Sequence, residues 1–175
     1  TGGKTVSLAS SRYTYATKFN NFSTKLYSDW SDVFSSEIGI AYKDVSSNSL
    51  TNSNIGSVKV EEYYRGPAYE FGTDQYRHAN ESSTENLTLT FDGTYLLDDH
   101  ELNFGIQYES LNLYNLFAAN SLGSWEFDSV AGFANREVGN FNGTYDFSYG
   151  NAYTNNAADT AYDATRSQLA IYLED

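Results

Sequence analysis

The sequence predicts an all-β fold, an antiparallel meander of about five long strands, and three observations carry that expectation. Aromatic residues make up 17% of the chain, with 16 Tyr and 11 Phe against a single Pro; that balance suits pleated strands better than helices. Apolar and polar residues alternate with a period of two in several stretches, which gives a strand one apolar and one polar face. The connections between these stretches alternate short and long.

The first strand signal runs from about Arg12 to Trp30. Phe22, Thr24, Leu26, Ser28 and Trp30 share one face, and Asn21, Ser23, Lys25, Tyr27 and Asp29 share the other. Tyr13, Tyr15 and Phe19 have the opposite phase, which a bulge near Asn20 and Asn21 would reconcile. After the turn "WSDVFS", Phe34, Ile38, Ile40 and Tyr42 alternate with Ser35, Glu37 and Lys43, so these two strands are expected to form a hairpin. From Val45 to about Ser83 the pattern dissolves into Ser, Asn, Gly and paired charges, a connection far longer than usual. Alternation returns at Leu87, Leu89, Phe91 and Tyr95, interleaved with Thr88, Thr90, Asp92 and Thr94. "LLDDH" then turns the chain into a strand with Leu102, Phe104, Ile106 and Tyr108 on one face and Glu101, Asn103, Gln107 and Glu109 on the other. Beyond Ser110 the phase inverts, with Leu111 and Leu113 on the formerly polar side. A second long excursion covers about 118–159, and the chain closes on Leu169, Ile171 and Leu173.

At 175 residues one domain is expected, or one piece of a larger one. Ten Lys plus Arg against 23 Asp plus Glu give a net charge of -13, which excludes a nucleic-acid partner because phosphate binding needs a basic footprint. Without Cys there is neither a disulfide framework nor a thiolate metal site. The opening "TGGKTV" has no Met and no leader, as expected of a processed, engineered or excised piece. No apolar run approaches the 18 or so residues of a membrane helix. Strands are then the one way this chain could cross a membrane, since hydrocarbon admits only helices and closed barrels.

Amphipathic strands fit a soluble sandwich as well as a membrane barrel. The polar faces carry mostly Asn, Gln, Thr, Ser, Glu and Asp, while Trp30, Phe34, Tyr95, Tyr108 and Tyr114 cluster toward strand ends as an interfacial girdle would. About five strands cannot close even an eight-stranded barrel, so a membrane barrel would be present here only as a slice.

The segment 71–133, "FGTDQYRHANESSTENLTLTFDGTYLLDDHELNFGIQYESLNLYNLFAANSLGSWEFDSVAGF", resembles the barrel of TonB-dependent outer-membrane receptors, in particular the Oar-like branch. The pieces that carry the resemblance are Gly72, Thr73, Arg77, His78 and Asn80; Asp99, His100, Leu102, Phe104 and Gly105; Tyr114, Asn115, Leu116 and Phe117; and Gly123, Trp125, Phe127, Ser129 and Phe133. Upstream, "LYSDWSDVFSSEIGIAYKD" resembles the preceding hairpin of that family, and the terminal "SQLAIYLED" one of its strands. Asp98 and Asn103 depart from it, standing where the family usually has Gly and often has Lys.

The resemblance implies that residues 1–175 are part of a 22-stranded, plug-filled barrel in a bacterial outer membrane, with long outer loops at about 45–83 and 118–159. Such a receptor takes up a scarce nutrient, a siderophore, saccharide or peptide, with energy from the inner membrane. Its partners would be outer-membrane lipid, the nutrient, and its own plug domain and TonB complex through parts absent here. Lipid-facing residues would be Leu87, Leu89, Phe91, Leu102, Phe104 and Ile106; lumen-facing residues would be Asp92, Thr94, Asn103, Gln107 and Glu109. The alternative is a secreted, soluble β-sandwich that binds carbohydrate through exposed aromatics.

In the first long loop Tyr63, Tyr64, Arg65, Tyr69, Tyr76 and Arg77 form the candidate ligand-binding group, since aromatic rings and guanidinium forks bind sugars or peptides by stacking and paired hydrogen bonds. Self-packing of the loop is the competing explanation. His78 and His100, the only histidines, are separated by a strand, so no shared metal site is expected. His100 would order a turn and His78 a loop. Neighbouring acids such as Glu61 and Glu62, or Asp98 and Asp99, point apart and cannot flank a scissile bond. Neither an enzyme nor a cofactor is predicted, because no nucleophile triad, phosphate-cradling loop or zinc motif is present.

Overall fold

The computed structural model describes residues 4–63, 66–141 and 144–175. Among the described residues strands make up 64% and the α-helix is confined to one short segment, so the fold is all-β. In order, the strands are β1 (Thr5–Ser7), β2 (Tyr13–Ser31), β3 (Phe34–Thr51), β4 (Ser57–Glu61), β5 (Ala68–Phe71), β6 (Asn80–Leu97), β7 (His100–Phe117), β8 (Ser124–Phe127), β9 (Asn140–Phe141), β10 (Thr144–Tyr145), β11 (Phe147–Ser148) and β12 (Tyr162–Glu174); the helix α1 is Val130–Asn135. The chain divides into two compact units, 1–16 with 47–81 and 115–161, and 17–46 with 82–114 and 162–175.

The second unit is an antiparallel sheet in the order β12-β7-β6-β3-β2, open at both edges rather than closed into a barrel. Two-residue turns at 32–33 and 98–99 make its hairpins. Asp98 adopts a φ of 51°, the left-handed region in which glycine or a short polar side chain is favoured. Side-chain contacts fix the register. On one face the Phe34 and Tyr95 rings lie 6.4 Å apart, those of Phe91 and Phe104 lie 6.2 Å apart, and Trp30 Nε1 donates to Ser36 Oγ at 2.9 Å. On the other, Thr94 Oγ1 donates to Asn103 Oδ1 at 2.8 Å, and Lys25 pairs with Glu37.

The bulge expected near Asn20 and Asn21 does not form: β2 is continuous, Asn20 meets Asp44 on one face, and Lys43 lies over Phe19 on the other. Alternation is therefore geometrically regular, and the polarity of the faces changes instead.

In the first unit the segments read as long loops carry short strands. β3 continues to Thr51, and the 45–83 and 118–159 segments form, with β1, a mixed sheet ordered β1-β5-β4-β8-β11. β1 runs parallel to β5 and β4 parallel to β8, pairing Val58 with Trp125 and Val60 with Phe127. These strands have two to five residues and sequence-distant partners, too little for a two-residue period to register. Val60, Ala68 and Phe127 are buried, and Phe133 from α1 meets Phe127 and Phe71 edge-on at 5.2 and 5.7 Å. α1 starts where Ser129 Oγ accepts the Gly132 N–H at 3.0 Å, and stops at Arg136, whose φ is 62°.

Candidate functional site

The long sheet brings the sequence-predicted lipid- and lumen-facing sets onto opposite faces. Leu87, Leu89, Phe91, Leu102, Phe104 and Ile106 lie with Phe34, Tyr95 and Tyr108 on one side, where the ring contacts and the Tyr108 to Ser167 hydrogen bond fix the orientation. Phe22, Leu26, Trp30, Ile38, Ile40, Leu169, Ile171 and Leu173 extend this stripe across all five strands, and they are open to solvent, Ile171 and Leu173 at 75%.

Asp92, Thr94, Asn103, Gln107 and Glu109 lie on the other face. Tyr172 crosses β7 at Gly105 and donates its hydroxyl to Asp92 Oδ1 at 2.7 Å. A Cβ on Gly105 would fall inside the Tyr172 ring and against Asp92, so glycine there is required by a close approach. Phe104 covers Gly93 on the apolar face in the same manner. Asn103, which accepts from Thr94, also reaches Glu101 Oε1 with its Nδ2 at 3.4 Å.

Of the candidate ligand group in the first unit, Tyr63, Tyr69, Tyr76 and Arg77 are among the described residues. Tyr64 and Arg65 lie outside the described residues. Tyr63 packs on Gly66, while Tyr69 and Tyr76 are exposed. Arg77 instead stacks on Tyr13 and Tyr15, 4.6 and 5.8 Å from their ring centroids, and its Nη2 reaches the Tyr13 hydroxyl at 3.4 Å. These are two of the three rings whose inverted phase the sequence displayed. They hold the guanidinium in the self-packing that was the competing explanation.

His78 is structural and neutral. The Leu122 N–H donates to its Nδ1 at 3.1 Å, so the ring hydrogen sits on Nε2, which donates to the Thr73 carbonyl at 3.0 Å. Burial holds its pKa below the ordinary value of 6.5, against the opposing pull of the Thr73 carbonyl and Asp74. Thr73 is the most buried side chain of the unit and donates to the Ser53 carbonyl at 2.6 Å. His100 pairs with Asp175 at 2.8 Å.

An ionic cluster missed by sequence reading lies across β4 and β8. Lys59 contacts Glu126 at 3.0 Å and Glu61 at 3.8 Å. Burial opposes its charge, but the Glu126 hydrogen bond and the surrounding carboxylates raise its pKa above the ordinary value. Burial, then Glu126 and Asp128, raise the pKa of Asp146. The parallel β4–β8 pairing, which no local pattern announces, brings these groups together. Among the described residues no group of three or more His, Asp or Glu is placed to hold a metal ion.

A scan against protein-family models finds no match, and searches of curated proteins and of solved structures find none.

Proposed function

We propose that this chain is a segment of a TonB-dependent outer-membrane receptor barrel, whose long sheet faces lipid on one side and the barrel interior on the other. The observation that carries the reading is an amphipathic single-layer sheet whose apolar face is left uncovered among the described residues. Ordinary domains bury such a face under a second layer; here it is left exposed over five strands. The stripe has the height that lipid requires. From Phe22 to Trp30, Phe34 to Tyr42 and Leu87 to Tyr95 it runs eight residue steps. That is about 27 Å along a strand. At the usual tilt of barrel strands it spans about 20 Å, close to the apolar band of outer-membrane barrels. Aromatic residues stand at both ends, Trp30, Phe34 and Tyr95 near the turns and Tyr42 and Tyr108 opposite.

In this role the segment is passive in chemistry. Leu87, Leu89, Phe91, Leu102, Phe104 and Ile106 anchor the wall, and Asp92, Thr94, Asn103, Gln107 and Glu109 present hydrogen-bonding groups toward the plug or the nutrient path. The open edges β2 and β12 continue into neighbouring strands of the barrel. Arg substituted separately at Phe104 and Asn103 of the full-length protein tests the assignment, read as unfolding free energy in bilayers. A cost of about 2 to 4 kcal/mol is expected at the lipid-facing position and little at the other. Equal costs, or a full-length protein monodisperse in buffer without detergent, would refute the membrane reading.

A further inference from the structure

Among the described residues only two basic side chains are drawn out of solvent, Lys59 and Arg77, both in the first unit; every other described Lys and Arg is exposed. A charge so withdrawn is ordinarily paired. Lys59 follows the rule, with Glu126 at 3.0 Å and Glu61 at 3.8 Å. Arg77 does not: among the described residues it has no carboxylate partner, in a chain that holds 23 Asp plus Glu. Asp74, the nearest acid in sequence, accepts the Tyr76 N–H at 2.9 Å instead.

The Tyr13 and Tyr15 rings over which Arg77 lies offset its charge but not its hydrogen bonds. Ring faces attract a cation, whereas the N–H donors of a guanidinium call for oxygen atoms in its plane. One long contact of that kind is made, Nη2 to the Tyr13 hydroxyl at 3.4 Å, while Nε is enclosed and has no acceptor. The Ser49 hydroxyl is enclosed and unpartnered as well. The register that bonds the Asn52 N–H to the Arg12 carbonyl sets Ser49 opposite Tyr15. Unmade hydrogen bonds therefore gather around this stack, and in a native fold such groups mark a place for a partner from outside the chain.

We propose that Arg77, with Tyr13 and Tyr15, binds the carboxylate of a small molecule. An anion fits the unpaired guanidinium, and it fits the segment that supplies the rings: no Asp or Glu precedes Asp29, while Lys4, Arg12 and Lys18 flank the two tyrosines in sequence. Carboxylate is favoured over phosphate because a single cation is offered. Arg12 precedes Tyr13 in extended backbone and so points to the opposite face. With Nε enclosed, the fork is presented end-on through its terminal nitrogens, and the Tyr13 hydroxyl beside Nη2 donates to one of the carboxylate oxygens. Tyr15, 52% exposed, gives the body of the molecule a ring to lie on. The packing that holds Arg77 in place prepares it, since the side chain is ordered before a ligand arrives. These residues all belong to the first unit, so the assignment stands apart from the membrane reading.

Saturation-transfer difference NMR on the full-length protein, with benzoate as the probe, tests the assignment. Benzoate should give a signal severalfold above that of benzamide, its neutral isostere, and above that of phenyl phosphate. Arg77→Gln should abolish the benzoate signal, and Arg77→Lys, which keeps the charge and loses the fork, should fall nearly as far. Tyr13→Phe keeps both rings against the guanidinium and removes only the hydroxyl; it should weaken the signal severalfold, a loss that misfolding of an arginine variant cannot mimic. Equal signals from benzoate and benzamide, or a benzoate signal indifferent to Arg77→Gln, overturn the site. A stronger signal from phenyl phosphate overturns the choice of carboxylate, and a signal unchanged by Tyr13→Phe overturns the part given to the hydroxyl. None of these outcomes bears on the membrane reading, which the Phe104 and Asn103 substitutions test separately.

Discussion

The small mixed sheet buries Val60, Ala68 and Phe127 and closes Phe71, Phe127 and Phe133 on one another, whereas among the described residues the second unit buries only Ser36 and the glycines 39, 93 and 105. Both units are rich in aromatic and aliphatic side chains. In the first these fill a core of their own, so its stability comes from burial within the chain. In the second they form an exposed stripe, and what is buried is small: Phe104 lies over Gly93, Tyr172 over Gly105 and Thr90 against Gly39. The contrast is one of burial: the first unit covers its large side chains within the chain, and among the described residues the second leaves its stripe uncovered.

The largest effect that tests this contrast is loss of core in the first unit. Phe127→Ala removes a buried ring that packs on Phe133, and about 3 to 5 kcal/mol is expected. Amide hydrogen exchange on the full-length protein should show lost protection around Val60, Phe71 and Trp125, with the β6 and β7 amides of 87–108 unchanged. If protection falls equally in the long strands, the two units do not have separate sources of stability.

Alternation made the long strands legible from sequence because one face differs from the other over eight or more residues, and the turns at 32–33 and 98–99 interrupt it cleanly. The same signal carried a false inference: inverted phase at Tyr13, Tyr15 and Phe19 suggested a bulge, when the strand is regular and the polarity of its faces changes. The mixed sheet was illegible for a different reason. Pairings such as Val60 with Phe127 join residues far apart in the chain, and strands of two to five residues hold too few positions for a period. Nor could the sequence place the candidate ligand residues in space, for want of the same long-range information. Arg77 is near Tyr63, Tyr69 and Tyr76 in sequence, but the fold delivers it to Tyr13 and Tyr15.

A smaller effect tests how the long sheet keeps its register without a core. Gly105→Ala sets a methyl where the Tyr172 ring lies, and overpacking of this kind costs about 1 to 3 kcal/mol. Tyr172→Phe keeps the ring and removes the bond to Asp92, for about 1 kcal/mol. Denaturant unfolding of the full-length protein in detergent micelles should rank the glycine variant as the less stable. The reverse order would mean that the hydrogen bond, rather than the ring crossing, holds the three strands together.

The smallest effect is a pH dependence belonging to the first unit. Nδ1 of His78 accepts the Leu122 N–H, and protonation would put a hydrogen on that nitrogen and set two donors against each other. Burial already favours the neutral ring, so the folded pKa lies below 6.5. A group depressed in this sense contributes stability that is complete above the unfolded value and is lost as pH falls through the folded one. Leu122 exchange, corrected for its intrinsic pH dependence, should therefore accelerate on going from about pH 7 to about pH 5. The His78→Gln variant should show weaker protection throughout and no such step. Protection that strengthens on acidification, or a step that survives the substitution, would assign the pH dependence to another group, with Asp146 the first to examine, since its carboxyl titrates above the usual range beside Glu126 and Asp128.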